Sequence, residues 1–257
     1  MAYREILVAR EDDFVTITMN RPERRNALSS AMMREMTEAL HETAISDARG
    51  IILAGNGPVF SAGHDFHEIA GHDLKDVRDL LLLSAELHGA MQRAPQPLLA
   101  RVQGLATAAG CQLVGSADLA VASSNARFQT PGGAGGWFCF TPMVPLSRNV
   151  GRKRALEMLM TGDPIDAETA LQWGLVNYVV PLEDLEAESE ALLKRATRGS
   201  AFSKGLGKAA FYASIDMEQP KAYAHAVEVM AGSSQSYDAQ ERIQAFLEKR
   251  PPRLKNR

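Results

Sequence analysis

Alternation of apolar and polar positions is the first pattern along the chain. Val15, Ile17 and Met19 alternate with threonines, which predicts a half-buried strand. The first ten residues, MAYREILVAR, also predict a strand. Further strands are predicted at short apolar runs, at 50–54 (GIILA), 97–102, 118–122 (DLAVA) and 175–180 (LVNYVV).

Apolar residues at helical spacing form two stripes. The stripes consist of Met32, Met36 and Leu40, and of Leu80, Leu83, Leu87 and Met91. Ser29 is placed to cap the first helix, and Ala94-Pro95 ends the second. From residue 142 onward the pattern is mainly helical, and the tail PPRLKNR is predicted to be loose. Strands that alternate with helices predict an α/β core of βαβ units, followed by a helical C-terminal third.

Composition limits the class of protein. The chain has 257 residues, 46% of them hydrophobic, and a net charge of −3, with no basic run of the kind that follows nucleic-acid phosphates. No apolar run is long enough to insert into a membrane. Two cysteines form neither a disulfide framework nor a zinc site alone, and suit a reducing compartment. We therefore expect a cytoplasmic protein, or an organelle-matrix protein if a transit peptide has been removed.

Two loops of small residues are candidates for chemistry. FSAGHD at 60–65 and GLATAAGCQLV at 104–114 each follow a predicted strand, and the second enters a helix. Backbone N–H groups at such a helix start have no partner, and small side chains let a ligand approach them. Two such loops can offer a pair of donors to a developing oxyanion. The alternative interpretation is tight packing of strand against helix.

Five segments, in order along nearly the whole chain, resemble the crotonase family of enoyl-CoA hydratases and isomerases. They are NRPERRNALS (20–29), GPVFSAGHDF (57–66), GLATAAGCQL (104–113), TGDPIDAETALQWGLVNYVV (161–180) and FLEKR (246–250). Within the family, one subgroup has segments similar to SAGHD, GLATAAGCQ and FCFTP of this chain.

The resemblance implies a fold and an assembly. The fold is α/β, with a core of four ββα spiral turns at 1–195 and a helical segment at 196–257 that forms trimers and completes the coenzyme A site. The protein would be a homotrimer or a dimer of trimers. Its ligand would be an acyl-CoA thioester, bound as substrate without any cofactor or metal, and the activity would be of the hydratase or isomerase type.

The resemblance also implies roles for particular residues. The N–H groups of His64 and Ala109 would form the oxyanion hole. The expected coenzyme A groove is lined by Arg25, Ala27, Ala62, Gly63, Asp65 and Phe66, and Phe246 and Lys249 would reach the coenzyme A of a neighbouring subunit. Trp137, Phe138 and Phe140 would wall the acyl pocket, although plain core packing is an equal alternative for them.

The chain departs from the family at two positions. Hydratases of the family position water with two glutamates, and here Gln112 and Gly132 occupy those places. Glutamine does not accept a proton near neutral pH, and no Asp or Glu lies between Asp118 and Glu157. Efficient hydration is therefore not expected, and Gln112 is a filler or a hydrogen-bonding contact of the substrate. Restoring both glutamates is expected to raise hydration if the scaffold is otherwise competent.

Other candidate residues also have structural interpretations. His64 and His67 are alternatives for the missing acid or base, because histidine titrates in the useful range. The histidines and carboxylates at 64–73 fit no metal-site spacing, so no metal is expected. Cys111 and Cys139 are interpreted as inert, since no base is positioned to activate them. GLGKAA at 205–210 follows no predicted strand and is not a dinucleotide site.

Three functional hypotheses remain open from the sequence. The first is an enzyme that stabilises an enolate or tetrahedral anion of an acyl-CoA with an unusual acid or base. The second is a genuine but weak enoyl-CoA hydratase of fatty-acid metabolism. The third is a binder of acyl-CoA without catalysis, or an assembly partner.

Overall fold

The structure, a computed structural model, describes residues 3–257. Within them the chain forms ten strands and eleven α-helices. The strands are β1 (Ile6–Glu11), β2 (Phe14–Met19), β3 (Gly50–Gly55), β4 (Val59–Ser61), β5 (Leu98–Val102), β6 (Leu105–Thr107), β7 (Leu119–Ser123), β8 (Arg127–Gln129), β9 (Ile165–Asp166) and β10 (Tyr178–Val180). The helices are α1 (Ser30–Ala44), α2 (Leu74–Arg93), α3 (Ala109–Ser116), α4 (Gly132–Gly135), α5 (Met143–Asn149), α6 (Arg152–Thr161), α7 (Ala167–Trp173), α8 (Leu185–Ala196), α9 (Ala201–Ser214), α10 (Gln219–Ser233) and α11 (Tyr237–Leu247).

The strands form two sheets. The larger has the order β1-β2-β3-β5-β7-β10, in which β1 and β2 are antiparallel and the remaining pairs are parallel. The smaller has the order β4-β6-β8-β9, with only the last pair antiparallel.

The connections between the sheets give a spiral. Three times a strand of the large sheet leads directly into a strand of the small sheet and then into a helix, as in β3-β4-α2, β5-β6-α3 and β7-β8-α4. The turn before these consists of β2, a single bridge between Leu28 and His64, and α1. The α/β fold with a spiral of four ββα turns, which the resemblance implies, is confirmed.

Most of the predicted elements are also confirmed. Ser29 caps α1 by accepting a hydrogen bond from the Met32 N–H, and α2 ends at Arg93, directly before Ala94. The N-terminal strand spans Ile6–Glu11, while the first two residues of that prediction lie outside the described residues. The strand predicted at 175–180 is shorter than expected, because Leu175 and Val176 pack in the core after α7 and only the last three residues pair with β7.

The prediction of a loose C-terminal tail is wrong. The carboxylate of Asp238 accepts a hydrogen bond from the Lys255 N–H at 2.6 Å, and the Asp238 N–H donates to the Arg257 carbonyl at 3.0 Å. Asn256 accepts from the Ala201 N–H at 2.9 Å. These contacts hold the tail between the starts of α9 and α11, although its sequence has no periodic pattern.

Helices α9 and α10 contribute no buried residue and expose large apolar side chains such as Phe211, Tyr223 and Met230. The boundary at residue 195 and the role of the following helices in oligomerisation stay predictions. No helix in residues 3–257 combines the length and the hydropathy needed to cross a membrane.

Candidate active site

Asn26 joins the first two sequence motifs to each other. Its side-chain amide donates to the carbonyls of Asn56, Val59 and Phe60, at 2.9, 2.8 and 3.2 Å, and its Oδ1 accepts from the Arg21 N–H at 3.0 Å. The side chain is fully buried, so these bonds are shielded from water. They fix the turn at 25–27 against the loop at 60–66, which brings Arg25 and Ala27 beside Ala62 and Gly63.

Two glycines allow the loop at 60–66 to pack against the start of α3. A Cβ on Gly63, whose φ is +86°, would lie 2.9 Å from the Ala108 Cβ and 3.1 Å from the Ala109 nitrogen. A Cβ on Gly110 would lie 2.3 Å from the Ser61 carbonyl oxygen, closer than real Cβ atoms approach. The two small-residue loops are therefore in direct backbone contact, as the oxyanion-hole hypothesis requires.

The N–H groups of His64 and Ala109 are free to bind a ligand. Neither donates a hydrogen bond to any acceptor in the described residues 3–257. Ala109 is the first residue of α3, where the helix itself leaves the N–H unpaired. Ala108 precedes it with φ 50° and ψ −120°, a conformation that is rare for a residue with a side chain and is concentrated at functional sites.

A cavity of about 680 Å³ adjoins these two residues. Its walls are almost entirely apolar and come from the loop at 64–70, the start of α2, the start of α3 and the segment at 131–142. The cavity has the size and the character of a small-molecule site. Its lining residues are His64, Phe66, Ile69, Ala70, Val77, Leu81, Ala108, Ala109, Pro131, Gly132, Gly135, Trp137, Phe138, Cys139, Phe140, Thr141 and Pro142.

Aromatic side chains form one wall of this cavity. The rings of Phe138 and Phe140 are 5.3 Å apart, and those of Phe66 and Trp137 are 6.2 Å apart, both pairs tilted. Trp137 and Phe140 are 42% and 59% exposed, so neither is a core residue. The position of these rings favours the pocket interpretation over core packing.

Comparison with known proteins identifies the family. The sequence profile of the enoyl-CoA hydratase/isomerase family matches residues 10–257. The chain belongs to this family. It is 44% identical over 244 residues to enoyl-CoA hydratase domain-containing protein 3 of Mus musculus, a mitochondrial protein by its name, covering 94% of this chain and 81% of the mouse protein.

Solved structures agree with the family membership. The crystal structure of human enoyl-CoA hydratase domain-containing protein 3 superimposes with a TM-score of 0.93 at 39% identity, and covers 98% of this chain and 100% of the human chain. The enoyl-CoA hydratase of Mycobacterium smegmatis superimposes with a TM-score of 0.94 at 43% identity, covering 97% of this chain and 98% of that one. The predicted likeness of the chain to this subgroup is thereby confirmed.

Gln112 and Gly132, which the resemblance places at the positions of the family's glutamates, differ in their surroundings. Gly132 lines the cavity at the start of α4. Gln112 lies in α3, one turn after Ala108, and is 5% exposed, with its Oε1 lacking a hydrogen-bond partner. No Asp or Glu is found among the cavity-lining residues, all of which belong to the described part of the chain.

The expected coenzyme A residues divide into two groups. Phe66 lines the cavity, whereas the carboxylate of Asp65 is 3.2 Å from the Arg21 guanidinium and also accepts a hydrogen bond from the His67 N–H. Asp65 therefore stabilises its own loop. Phe246 is 70% exposed on α11, and neither it nor Lys249 is among the cavity-lining residues. Their contact with a neighbouring subunit's coenzyme A stays a prediction.

The structure separates the two histidines proposed as an acid or base. His67 is exposed, lies 3.4 Å from the Arg24 guanidinium and does not line the cavity. His64 lines it, and burial lowers the pKa of the imidazole to about 4, so the ring is neutral near pH 7. Burial also raises the pKa of the Cys111 thiol to about 12 and that of the Cys139 thiol above its ordinary value, which favours inert thiols.

Sequence reasoning missed a second buried histidine. His88 lies in α2, is 8% exposed, and neither ring nitrogen has a hydrogen-bond partner. Burial, together with a smaller coulombic contribution from His64, lowers the pKa of the His88 imidazole to about 3. The signal was present in the spacing, because Ser84 and His88 are one turn apart on the apolar side of α2.

We expect these histidines to make folding stability fall below pH 6.5. Their pKa values in the folded protein, about 4 for His64 and about 3 for His88, lie below the ordinary value of about 6.5. Below pH 6.5 the unfolded chain therefore binds more protons than the folded protein, which favours unfolding. Each is expected to remove about 2 kcal/mol between pH 6.5 and pH 5. Urea unfolding at several pH values measures this, and His88→Leu should remove about half of the slope. Equal slopes in the variant and the wild type would contradict the assignment.

Proposed function

We propose that the protein binds an acyl-CoA thioester, with the acyl chain in the cavity and the thioester carbonyl at the His64 and Ala109 N–H groups. The observation that carries the proposal is the pair of unpaired N–H donors on touching loops beside an apolar cavity. Donors fixed in this way stabilise negative charge that develops on a carbonyl oxygen, as an enolate or a tetrahedral anion forms. The family membership supports the thioester as the ligand class.

The chemistry we propose differs from hydration with two glutamates. Only His64 and Cys139 are titratable among the lining residues, and the lowered pKa of His64 leaves it a neutral and weak base. With Gln112 and Gly132 at the glutamate positions, no carboxylate is placed to take a proton from water. The oxyanion hole is therefore expected to act with substrate-assisted proton transfer or with a slow acid or base. Efficient hydration is not part of the proposal.

The remaining features of the proposal follow the family. Coenzyme A enters as part of the substrate, no cofactor is required, and the assembly is a homotrimer or a dimer of trimers. Apolar side chains exposed on α9 and α10 support a role for these helices in that assembly. The mitochondrial relative favours an organelle matrix over the cytoplasm.

The first experiment measures binding and hydration together. We expect the purified protein to bind trans-2-butenoyl-CoA, followed by calorimetry, and to hydrate it far more slowly than about 10 per second, a typical enzymatic rate. Hydration is followed as loss of absorbance of the conjugated enoyl thioester. The calorimetric titration is the control that separates an inactive site from a misfolded sample.

Two outcomes would contradict the proposal in different ways. Turnover at about 10 per second or more would show that the missing glutamates do not limit hydration. A folded protein that binds neither butenoyl-CoA nor butanoyl-CoA would remove the thioester site itself.

A further inference from the structure

The cavity beside the His64 and Ala109 N–H groups is much larger than a short acyl chain. A methylene group takes up roughly the 30 Å³ of one liquid water molecule, so the four carbons of a butanoyl group fill about 120 Å³. The cavity measures about 680 Å³, and half of that volume holds about ten carbons. A short chain therefore leaves most of the cavity to water.

Water in this cavity has few partners in the walls. The lining residues all lie within 64–142, and none of them is a lysine, arginine, aspartate or glutamate. Most are aliphatic or aromatic, such as Ile69, Leu81 and Phe138. Replacing poorly ordered water with hydrocarbon removes these walls from water, which is favourable. A charged group on the chain would be buried without a partner of opposite charge, which is costly.

Aromatic rings from two walls of the cavity also remain exposed to solvent. Phe66 belongs to the loop at 64–70 and Trp137 to the segment at 131–142, and both line the cavity while their rings lie 6.2 Å apart. Phe140, which lines the same cavity, is exposed as well. Large apolar groups that are exposed together mark a surface that a ligand or partner covers. The rings thus offer apolar area that a long acyl chain can remove from water.

Helix α2 supplies a further apolar part of the wall. Val77 lies in its first turn and Leu81 one turn later, and both line the cavity. Val77 is only partly buried, so a larger side chain can be accommodated there. Arg78 follows it on the same helix, is exposed and is not a lining residue. The two neighbours therefore provide a matched pair of positions for substitution.

We propose that the cavity selects acyl thioesters whose chain is uncharged and about eight or more carbons long, and that this chain runs from the oxyanion hole to Val77 and Leu81 on α2. The inference rests on the proposed function, since it needs the thioester carbonyl at the His64 and Ala109 N–H groups. It names a substrate class that the donors alone do not determine, because they contact only the carbonyl oxygen.

The test measures the dissociation constants of butanoyl-CoA, octanoyl-CoA and octanedioyl-CoA by calorimetry. All three share the coenzyme and the thioester carbonyl, so each is expected to bind. Each buried methylene is expected to tighten binding about fourfold, so octanoyl-CoA should bind about 100-fold or more tightly than butanoyl-CoA. Octanedioyl-CoA has the same number of carbons but ends in a carboxylate, and it should bind at least about tenfold more weakly than octanoyl-CoA.

Two tryptophan substitutions test the position of the chain. Val77→Trp fills part of the cavity, and we expect it to reduce the preference for octanoyl-CoA over butanoyl-CoA to less than about fivefold, the contribution of one methylene. Arg78→Trp adds the same side chain outside the cavity and should keep the wild-type preference. The comparison of the three ligands in the wild-type protein does not depend on the folding of either variant.

The outcomes separate this inference from the proposed function. A wild-type preference below about tenfold would mean that fewer than two of the four additional methylenes are buried, which overturns the inference and leaves the thioester proposal intact. Equal affinities for octanoyl-CoA and octanedioyl-CoA, or a wild-type preference retained in a folded Val77→Trp protein, would also overturn it. Failure to bind butanoyl-CoA and octanoyl-CoA alike would overturn both proposals.

Discussion

Gln112→Glu combined with Gly132→Glu is expected to destabilise the protein and to leave hydration unrestored. A Cβ on Gly132 would lie 2.1 Å from the Trp137 carbonyl oxygen, 2.9 Å from the Cys139 Sγ and 3.0 Å from the Cys139 nitrogen. The first and last of these are backbone atoms, so relief requires the segment at 132–139 to move. The structure therefore corrects the expectation that the two glutamates alone would raise hydration.

The loss of stability expected for Gly132→Glu can be given a size, and α4 also contains a control residue. Overpacking of this kind costs about 1–3 kcal/mol, and the clash with backbone places Gly132→Glu at the upper end. Gly135→Glu is the matched control, because Gly135 also lines the cavity and its Cβ would meet no atom within 4 Å. Urea unfolding measures the loss of stability, and the absorbance assay measures hydration.

The contrary result would be informative about the cavity wall. If the double variant kept the wild-type stability and gained hydration, the segment at 132–139 would have to rearrange without cost around a new side chain. A crystal structure of that variant would then show Trp137 displaced from Gly132.

The elements predicted correctly are those that depend only on residues close together in the sequence. Ser29 accepts from the N–H three residues later, and β2 follows from an alternation within six residues. The proposed oxyanion-hole residues, His64 and Ala109, were assigned only through the family resemblance, because nothing local to either residue reveals that the two loops touch. That contact depends on Gly63, which packs against Ala108, and on Gly110, which packs against Ser61. The loops that carry them are distant in sequence and lie side by side because β4 and β6 pair in parallel.

The features that were predicted wrongly or not predicted, namely the C-terminal tail, His88 and the surroundings of Gly132, have the same physical origin. The C-terminal tail is held by Asp238 and by the Ala201 N–H, contacts that no pattern within the tail can predict. His88 was overlooked because the apolar stripe of α2 defines the same helix without it. The sequence shows only that Gly132 lacks a carboxylate. It does not show that a side chain at this position would collide with the backbone of Trp137, five residues away.

Ala109→Pro is expected to weaken polarisation of the thioester carbonyl, because only the His64 N–H of the proposed pair remains, and to lower any turnover on an acyl-CoA about 10²–10³-fold. Proline lacks the N–H, and Ala109 is the first residue of α3, a helix position that tolerates proline. Ala108 has φ 50° and ψ −120°, which a following proline disfavours, so we also expect a lower melting temperature. No protein acceptor within residues 3–257 uses the Ala109 N–H, so the fold loses no hydrogen bond. The readout is the absorbance of a bound aryl-acryloyl-CoA, which shifts to longer wavelength when its carbonyl is polarised.

Ala109→Gly is the control for this prediction, because it removes the methyl group but keeps the N–H. We expect the glycine variant to keep the spectral shift and the proline variant to show a smaller one, while both retain a cooperative thermal transition. A folded proline variant with an unchanged shift would exclude the Ala109 N–H as a donor to the carbonyl. The oxyanion would then have to be stabilised by the His64 N–H and by a second donor other than the Ala109 N–H. A single backbone N–H would not explain why the two loops lie in contact.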